Sequence, residues 1–403
     1  MSAHTLTPRQ MTRWHRAILA QFFASGLLTS SLLARIPDFS ASLGITAGPL
    51  GILLFMMMLG SFLTVSCSGM MVTRFGSRPY LLVAYAVGCA GIVLVGLGAH
   101  LGSIPLATVG LVLQGAGTAG SNVGSNIQSV SVERALGRFV TPYMHGCFAV
   151  GSVVGAFLAT ADTHAGIPLL WHMVYFALII MSIVLFTYSW LHSENMQAPD
   201  EAEQQSPTFR VRDAWRDKHT ILLGLFCLGM VLAEGSANDW IALGLTQDYG
   251  MSHTGGSLGY ATFVVAMTIS RFAGSFFLNR YGRTRVLRVS CCVAIFGVLL
   301  FIFAPVTELG LVGAFLWGIG VSLGFPTGIS AASDDPLKSS VRVSVVFTFG
   351  YIAFLGGPPM VGWLAELLNV RHALLVILPF MLMSLALTRY LGTWRSSTQT
   401  SAQ

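Results

Sequence analysis

The chain has 403 residues, of which 54% are hydrophobic and only 9% charged, with a formal net charge of +6 and a mean hydropathy of +0.71. A soluble domain is roughly one-quarter charged, so this composition excludes a water-soluble enzyme, a disulfide scaffold, a disordered chain and an outer-membrane barrel of alternating strands. A helix crosses a bilayer of roughly 30 Å with about 20 apolar residues, and the length admits twelve such crossings.

Met1 to Arg16 is polar and basic. The apolar run that follows is too long, and lacks the small-residue cleavage site, to be a removable signal; it is predicted to remain as the first helix. Breaks at charges, prolines and turn residues place the first six crossings near 17–37, 49–72, 80–99, 104–127, 142–161 and 168–190. A polar stretch from His192 to His219 follows, and six further runs lie near 220–245, 256–278, 286–304, 309–331, 343–366 and 372–392. The expected protein is all-α, with twelve transmembrane helices in two pseudo-symmetric six-helix bundles. These occupy 1–191 and 220–403, joined by a cytoplasmic linker over 192–219.

Lys and Arg gather in loops that stay cytoplasmic. With the N-terminus inside, all but Arg35, Arg271 and Arg371 of the 22 Lys and Arg fall in cytoplasmic segments or at their edges. Both termini are therefore expected in the cytoplasm, and the pI near 9.1 reflects topology and anionic headgroups rather than a nucleic-acid partner. Cys67, Cys89, Cys147, Cys227, Cys291 and Cys292 all fall in crossings with no metal-ligand spacing, and read as packing residues. Met56-Met57-Met58 reads the same way, and no Walker loop, dinucleotide fingerprint or nucleophile elbow is present. No metal or cofactor is expected.

Two motifs recur about half a chain apart. Arg74-Phe75-Gly76-Ser77-Arg78 after helix two is echoed by Arg280-Tyr281-Gly282-Arg283-Thr284-Arg285 after helix eight. Gly110, Gly115 and Gly117 in helix four are echoed by Gly313, Gly318 and Gly320 in helix ten. Small residues let membrane helices approach closely, and two motifs at nearly one offset indicate a six-plus-six duplication.

Over essentially its whole length the sequence resembles the major facilitator superfamily. The resemblance is carried by Gly69, Arg74, Gly76 and Arg78, which stand in register with that family's loop two-three signature; its acidic position is Thr73 here, and Asn279 in the second copy. More narrowly, His145-Gly146, Glu234-Gly235, Asp239-Trp240 and Arg271 resemble the YbjJ-like branch, near the fucose-permease-like transporters. The resemblance implies a secondary transporter whose halves rock about a cavity lined by helices one, four, seven and ten. It makes Arg74 and Arg78 candidates for closing the cytoplasmic side.

Charges inside hydrocarbon are costly and mark functional candidates, usually with a partner. Glu234 in helix seven and Arg271 in helix eight are the proton-coupling candidates; Glu234 either carries transport chemistry or forms a structural pair with Arg271. The small and polar residues from Glu234 to Asp239 favour local unwinding of helix seven. Asp239 points about 140° away from Glu234 around that helix. It is paired by the repeat with Arg35, as an external gate or as two groups in headgroup water. The polar stripes of helices one and four offer Gln21, Asn122 and Asn126 to a cavity, together with Asn238 and Trp317, or else stitch helices together. Asn and Gln suit hydroxyl-rich or amide ligands, and Trp317 a sugar face or an aromatic ligand. His145 either responds to pH near neutrality or makes a packing contact.

The expected activity is proton-coupled uptake of a small polar solute, such as a sugar, across the bacterial inner membrane by a monomer surrounded by lipid. A proton/drug antiporter and a non-transporting sensor are the alternatives. The exporters' helix-five signature needs Pro, and here Gly151 and Gly155 are followed by Ala156; Gly356-Gly357-Pro358-Pro359 lies in the wrong half.

Overall fold

The structure, a computed structural model, describes residues 7–136, 140–192, 211–335 and 338–392. The linker expected over 192–219 thus lies mostly outside the described residues. Among those described, regular secondary structure is helical throughout. The first six crossings are α1 (Pro8–Leu33), α2 (Ala47–Phe75), α3 (Ser77–His100), α4 (Ile104–Leu136), α5 (Thr141–His164) and α6 (Leu169–Tyr188). The second six are α7 (Lys218–Gln247), α8 (His253–Tyr281), α9 (Arg283–Phe303), α10 (Thr307–Ala332), α11 (Ser339–Leu367) and α12 (Val370–Leu391). A short helix, Ile36–Leu43, lies between α1 and α2.

Eleven of the described helices are long and apolar enough to cross a membrane by length and composition. The remaining crossing, α4, has 33 residues. Its polar stripe of Gln114, Thr118, Ser121, Asn122, Ser125 and Asn126 dilutes its hydropathy, and it crosses packed against α3 and α2. Successive crossings alternate in direction, so the start of α1 at Pro8 and the end of α12 at Leu391 share one face of the bundle, the termini face.

The duplication read from the sequence is visible in the backbone. Gly76 joins α2 to α3 at φ 84°, and Gly282 joins α8 to α9 at φ 77°, a region that a residue with Cβ rarely enters. A Cβ on Gly110 would lie 2.6 Å from the Val95 nitrogen, and one on Gly313 would lie 2.5 Å from the Phe301 nitrogen. The α3–α4 and α9–α10 pairs therefore pack backbone to backbone. In each half the first helix packs on the fifth and the second on the fourth; α2 meets α11, and α5 meets α8, across the halves.

Helix seven is not unwound as its composition suggested: α7 runs unbroken from Lys218 to Gln247. The interruption falls in α10, at Ser322 and Leu323. Pro326 has no N–H to give the Ser322 carbonyl one turn back, so the helix cannot close there by itself.

Candidate functional site

Between the halves lies a cavity of about 940 Å³. The first half lines it with Thr29 and Leu33 of α1, Met58 and Ser61 of α2, Asn122 and Asn126 of α4, and Phe148 and Ser152 of α5. The second half contributes Glu234, Asn238 and Asp239 of α7, Tyr260 and Arg271 of α8, and Ser344, Thr348 and Tyr351 of α11.

Closure lies on the face opposite the termini. There Gly48 N–H donates to Glu366 Oε1 at 2.7 Å, Ser257 donates to the Ala34 carbonyl at 2.6 Å, and His253 meets Asp38. Gly51 touches the Pro358 backbone so closely that a Cβ would lie 2.5 Å from its carbonyl oxygen. From Leu33 and Asp239 the cavity runs to Val343 and Ser344, near the start of α11. It therefore approaches the termini face while the far face is shut.

Glu234 and Arg271 come together. Arg271 Nη2 donates to Glu234 Oε1 at 2.9 Å, with the two side chains 30% and 16% exposed to the cavity. Arg271 Nε also reaches the Ser322 carbonyl at 3.5 Å, the acceptor that Pro326 leaves unserved. The Ser322 hydroxyl donates to Ser270 at 2.6 Å, completing a polar seam at the break in α10.

Asn122, Asn126 and Asn238 all line the cavity. Each amide donates one N–H to the carbonyl one turn back, at 3.0, 2.8 and 3.0 Å, which leaves its oxygen and its second N–H to meet a ligand. Ser25 and Ser121 approach to 3.4 Å and stitch α1 to α4.

Two cavity candidates lie elsewhere. Gln21 is fully buried, donating to Thr187 at 2.8 Å while its backbone carbonyl accepts from Tyr85. It ties α1 to α6 because the polar stripe of α1 spirals away from the cavity towards the termini face. Trp317 is equally buried, edge-on between Phe263 and Phe301, with ring centroids 6.3 and 6.0 Å apart. It fills the core of the second half, where no solute reaches its face.

Arg35 and Asp239 do not pair. Arg35 Nε binds Asp38, and its Nη2 donates to the Ile167 carbonyl at 2.9 Å. Asp38 lies three residues on, within reach without crossing the interface, and it is Asp38 that reaches His253 of the other half. Asp239 is 3% exposed and lines the cavity with Glu234, because the cavity curls around α7; its carboxylate has no hydrogen bond or ion pair among the described residues. Arg74 is exposed over the Phe75 ring, and Arg78 lies 4.2 Å from the Tyr188 ring; both contacts stay within the first half. His145 packs against Phe22, ring centroids 5.1 Å apart.

Ser344, Thr348 and Tyr351 were missed, although their spacing of four and three residues marks one face of helix eleven. The Asp38–His253 contact had no local signal, since its partners lie in different halves.

The sequence profile of the Major Facilitator Superfamily matches residues 18–243 and 235–402. An uncharacterized MFS-type transporter of Yersinia pestis is 30% identical over 353 residues, covering 87% of this chain and 89% of its own length. Among solved structures, the nucleoside transporter NupG is similar with a TM-score of 0.73 at 14% identity, over 94% of this chain and 98% of its own. The transporter FucP, in an outward conformation, gives 0.63 at 16% identity, over 94% and 99% of the two chains. At those identities the structural likeness is one of fold.

Proposed function

The chain belongs to the Major Facilitator Superfamily, and from that membership we propose that it carries a small polar solute, such as a sugar or related metabolite, into a bacterial cell together with protons. The finer placement in the YbjJ-like branch rests on the short motifs alone. The distribution of Lys and Arg supports an inner-membrane protein with both termini cytoplasmic. In that orientation the cavity faces inward, and rocking of the halves would expose it alternately to either side. The cavity is formed within one chain, which supports a monomer as the working unit, with one half at 1–191, a linker at 192–219 and the other half at 220–403.

The observation that carries this reading is the Glu234–Arg271 pair, which lines the cavity and is tied through Arg271 to the broken helix α10. A proton arriving on Glu234 removes the charge that Arg271 answers. Arg271 is then released to shift at the Ser322 carbonyl, so protonation in the cavity reaches the break in α10. Asn122, Asn126 and Asn238 supply acceptors for hydroxyls on the solute.

Uptake into proteoliposomes with an acid exterior tests this. Glu234→Gln should fold, judged by an unchanged melting profile, and exchange solute across the membrane while losing accumulation driven by the pH gradient. Unchanged proton-driven uptake in that variant would sink the assignment. Proton/drug exchange is the second reading, favoured by the apolar stretch of Leu33, Val65, Ile127, Val264 and Phe347 on the cavity wall. Gradient-driven efflux of lipophilic cations, with no hydrophilic uptake, would select it.

A further inference from the structure

We propose that the solute bears a protonated amine and that Asp239 is its counter-ion in the cavity. This rests on the transport reading above and narrows it to a substrate class.

The other embedded acids are already answered. Asp38 is held by Arg35 and His253, Asp162 by His172 and Tyr175, Glu366 by the Gly48 N–H, and Glu234 by Arg271. Asp239, 3% exposed, is more enclosed than any of these and reaches the cavity, yet meets no donor and no cation among the described residues. A carboxylate taken from water without a partner is costly, and a cation delivered into the cavity removes that cost.

The rest of the lining agrees in its hydrogen-bonding sense. The amides of Asn122, Asn126 and Asn238 donate to their own helices. So do the hydroxyls of Thr29 and Thr348, at 2.9 and 3.0 Å. Each amide oxygen remains for a ligand beside one N–H, so the lining offers acceptors that suit an ammonium group and hydroxyls. The donors on the wall include Arg271, whose Nη2 and Nε are engaged, the hydroxyls of Tyr260 and Tyr351, and one N–H of each Asn. The rings of Tyr260, Tyr351 and Phe354 line the same space, and aromatic faces attract a cation. A neutral polyol satisfies the amide oxygens and leaves the Asp239 charge unmet; an anion is repelled by it.

The test uses purified full-length protein and matched probes that differ at one group: glucosamine against glucose, and serinol against glycerol. Ligand-dependent melting reads affinity for the folded state. The amine of at least one pair should stabilise at a concentration roughly thirty-fold lower than its hydroxyl partner, as expected when a buried charge finds its partner. Asp239→Asn should melt at or above the wild type without ligand and lose that preference, and Asp239→Glu should recover part of it. If no amine outperforms its neutral partner, or if the preference survives in Asp239→Asn, the proposal falls. Proteoliposome uptake separates the two readings. A neutral solute carried equally well by Asp239→Asn overturns the amine assignment and leaves transport standing. Amine binding that depends on Asp239 but yields no uptake supports the assignment and overturns transport.

Discussion

After α2 the chain turns through Gly76 and Ser77, and after α8 it turns through Gly282 and Arg283. In the first copy Ser77 accepts a hydrogen bond from Gln128 Nε2 at 2.7 Å, while Gln128 Oε1 accepts from Trp14 Nε1 at 2.6 Å. In the second copy Arg283 Nη1 donates to both oxygens of Asp334, at 2.7 and 2.6 Å. Both contacts tie the start of the third helix of a half to the later part of its fourth, at Gln128 within α4 and at Asp334 just past the end of α10, so a similar tertiary link is made by neutral groups in one half and by ions in the other. Burial explains the choice. Gln128 is 1% exposed, whereas Arg283 and Asp334 keep 25% and 20% of their side chains in water. An enclosed site requires each donor and acceptor to be met, while a wetted one tolerates charge at little cost or gain.

The same division runs through the cavity. The first half lines it with amides and hydroxyls, and the second half supplies Glu234, Asp239 and Arg271. Duplication preserved the scaffold, and the charged groups of the cavity lining are concentrated in one copy.

Three stability measurements would break or sharpen the comparison. Gln128→Leu should have the largest effect, about 3 kcal/mol of destabilisation, because it orphans the buried Trp14 indole and the Ser77 hydroxyl. Thermal denaturation in detergent would show it, and a loss no greater than that of a surface substitution would refute the burial argument. Asp334→Asn in the second half should cost about 1 kcal/mol or less, since a part-wetted pair contributes little. A loss equal to that of Gln128→Leu would remove the distinction between the two copies.

The smallest effect concerns acid. Asp217 precedes α7 on the termini face and is bound by Thr220 at 2.6 Å and by Arg342 at 2.8 Å. Burial acts to raise its carboxyl, but the Thr220 hydrogen bond, the Arg342 charge and the His219 N–H outweigh it and hold it below the ordinary 3.8. The unfolded chain then takes up the proton first as the pH falls, so this contact contributes fully above about pH 4 and is lost as the pH drops through the lowered native value. Arg342→Gln should melt slightly below the wild type at neutral pH, with the gap closing under acid. A gap that widens under acid would contradict the assigned sign.

Much of the fold was legible locally. Twelve apolar runs, the Gly76 and Gly282 turns and the glycine faces of helices four and ten each follow from a few neighbouring residues. Part of the site was legible too: Glu234 and Arg271 stood out because charge is rare in hydrocarbon, and Asn122, Asn126 and Asn238 because they share helical faces. Gln21 and Trp317 misled for one reason. A polar or aromatic residue on a membrane helix has several faces to turn to, and the sequence does not say which neighbour stands at each.

Composition and periodicity by themselves determined that the chain crosses the membrane as two copies of one six-helix plan, and which residues are costly enough there to need a partner. Tertiary structure alone decided the partners. Arg35 turned to Asp38, Arg271 to the carbonyl opened by Pro326, and Asp239 to the cavity. Helix formation depends on residues within a turn of one another, whereas a charge in a low-dielectric interior is settled by whichever group the packed helices bring within hydrogen-bonding distance.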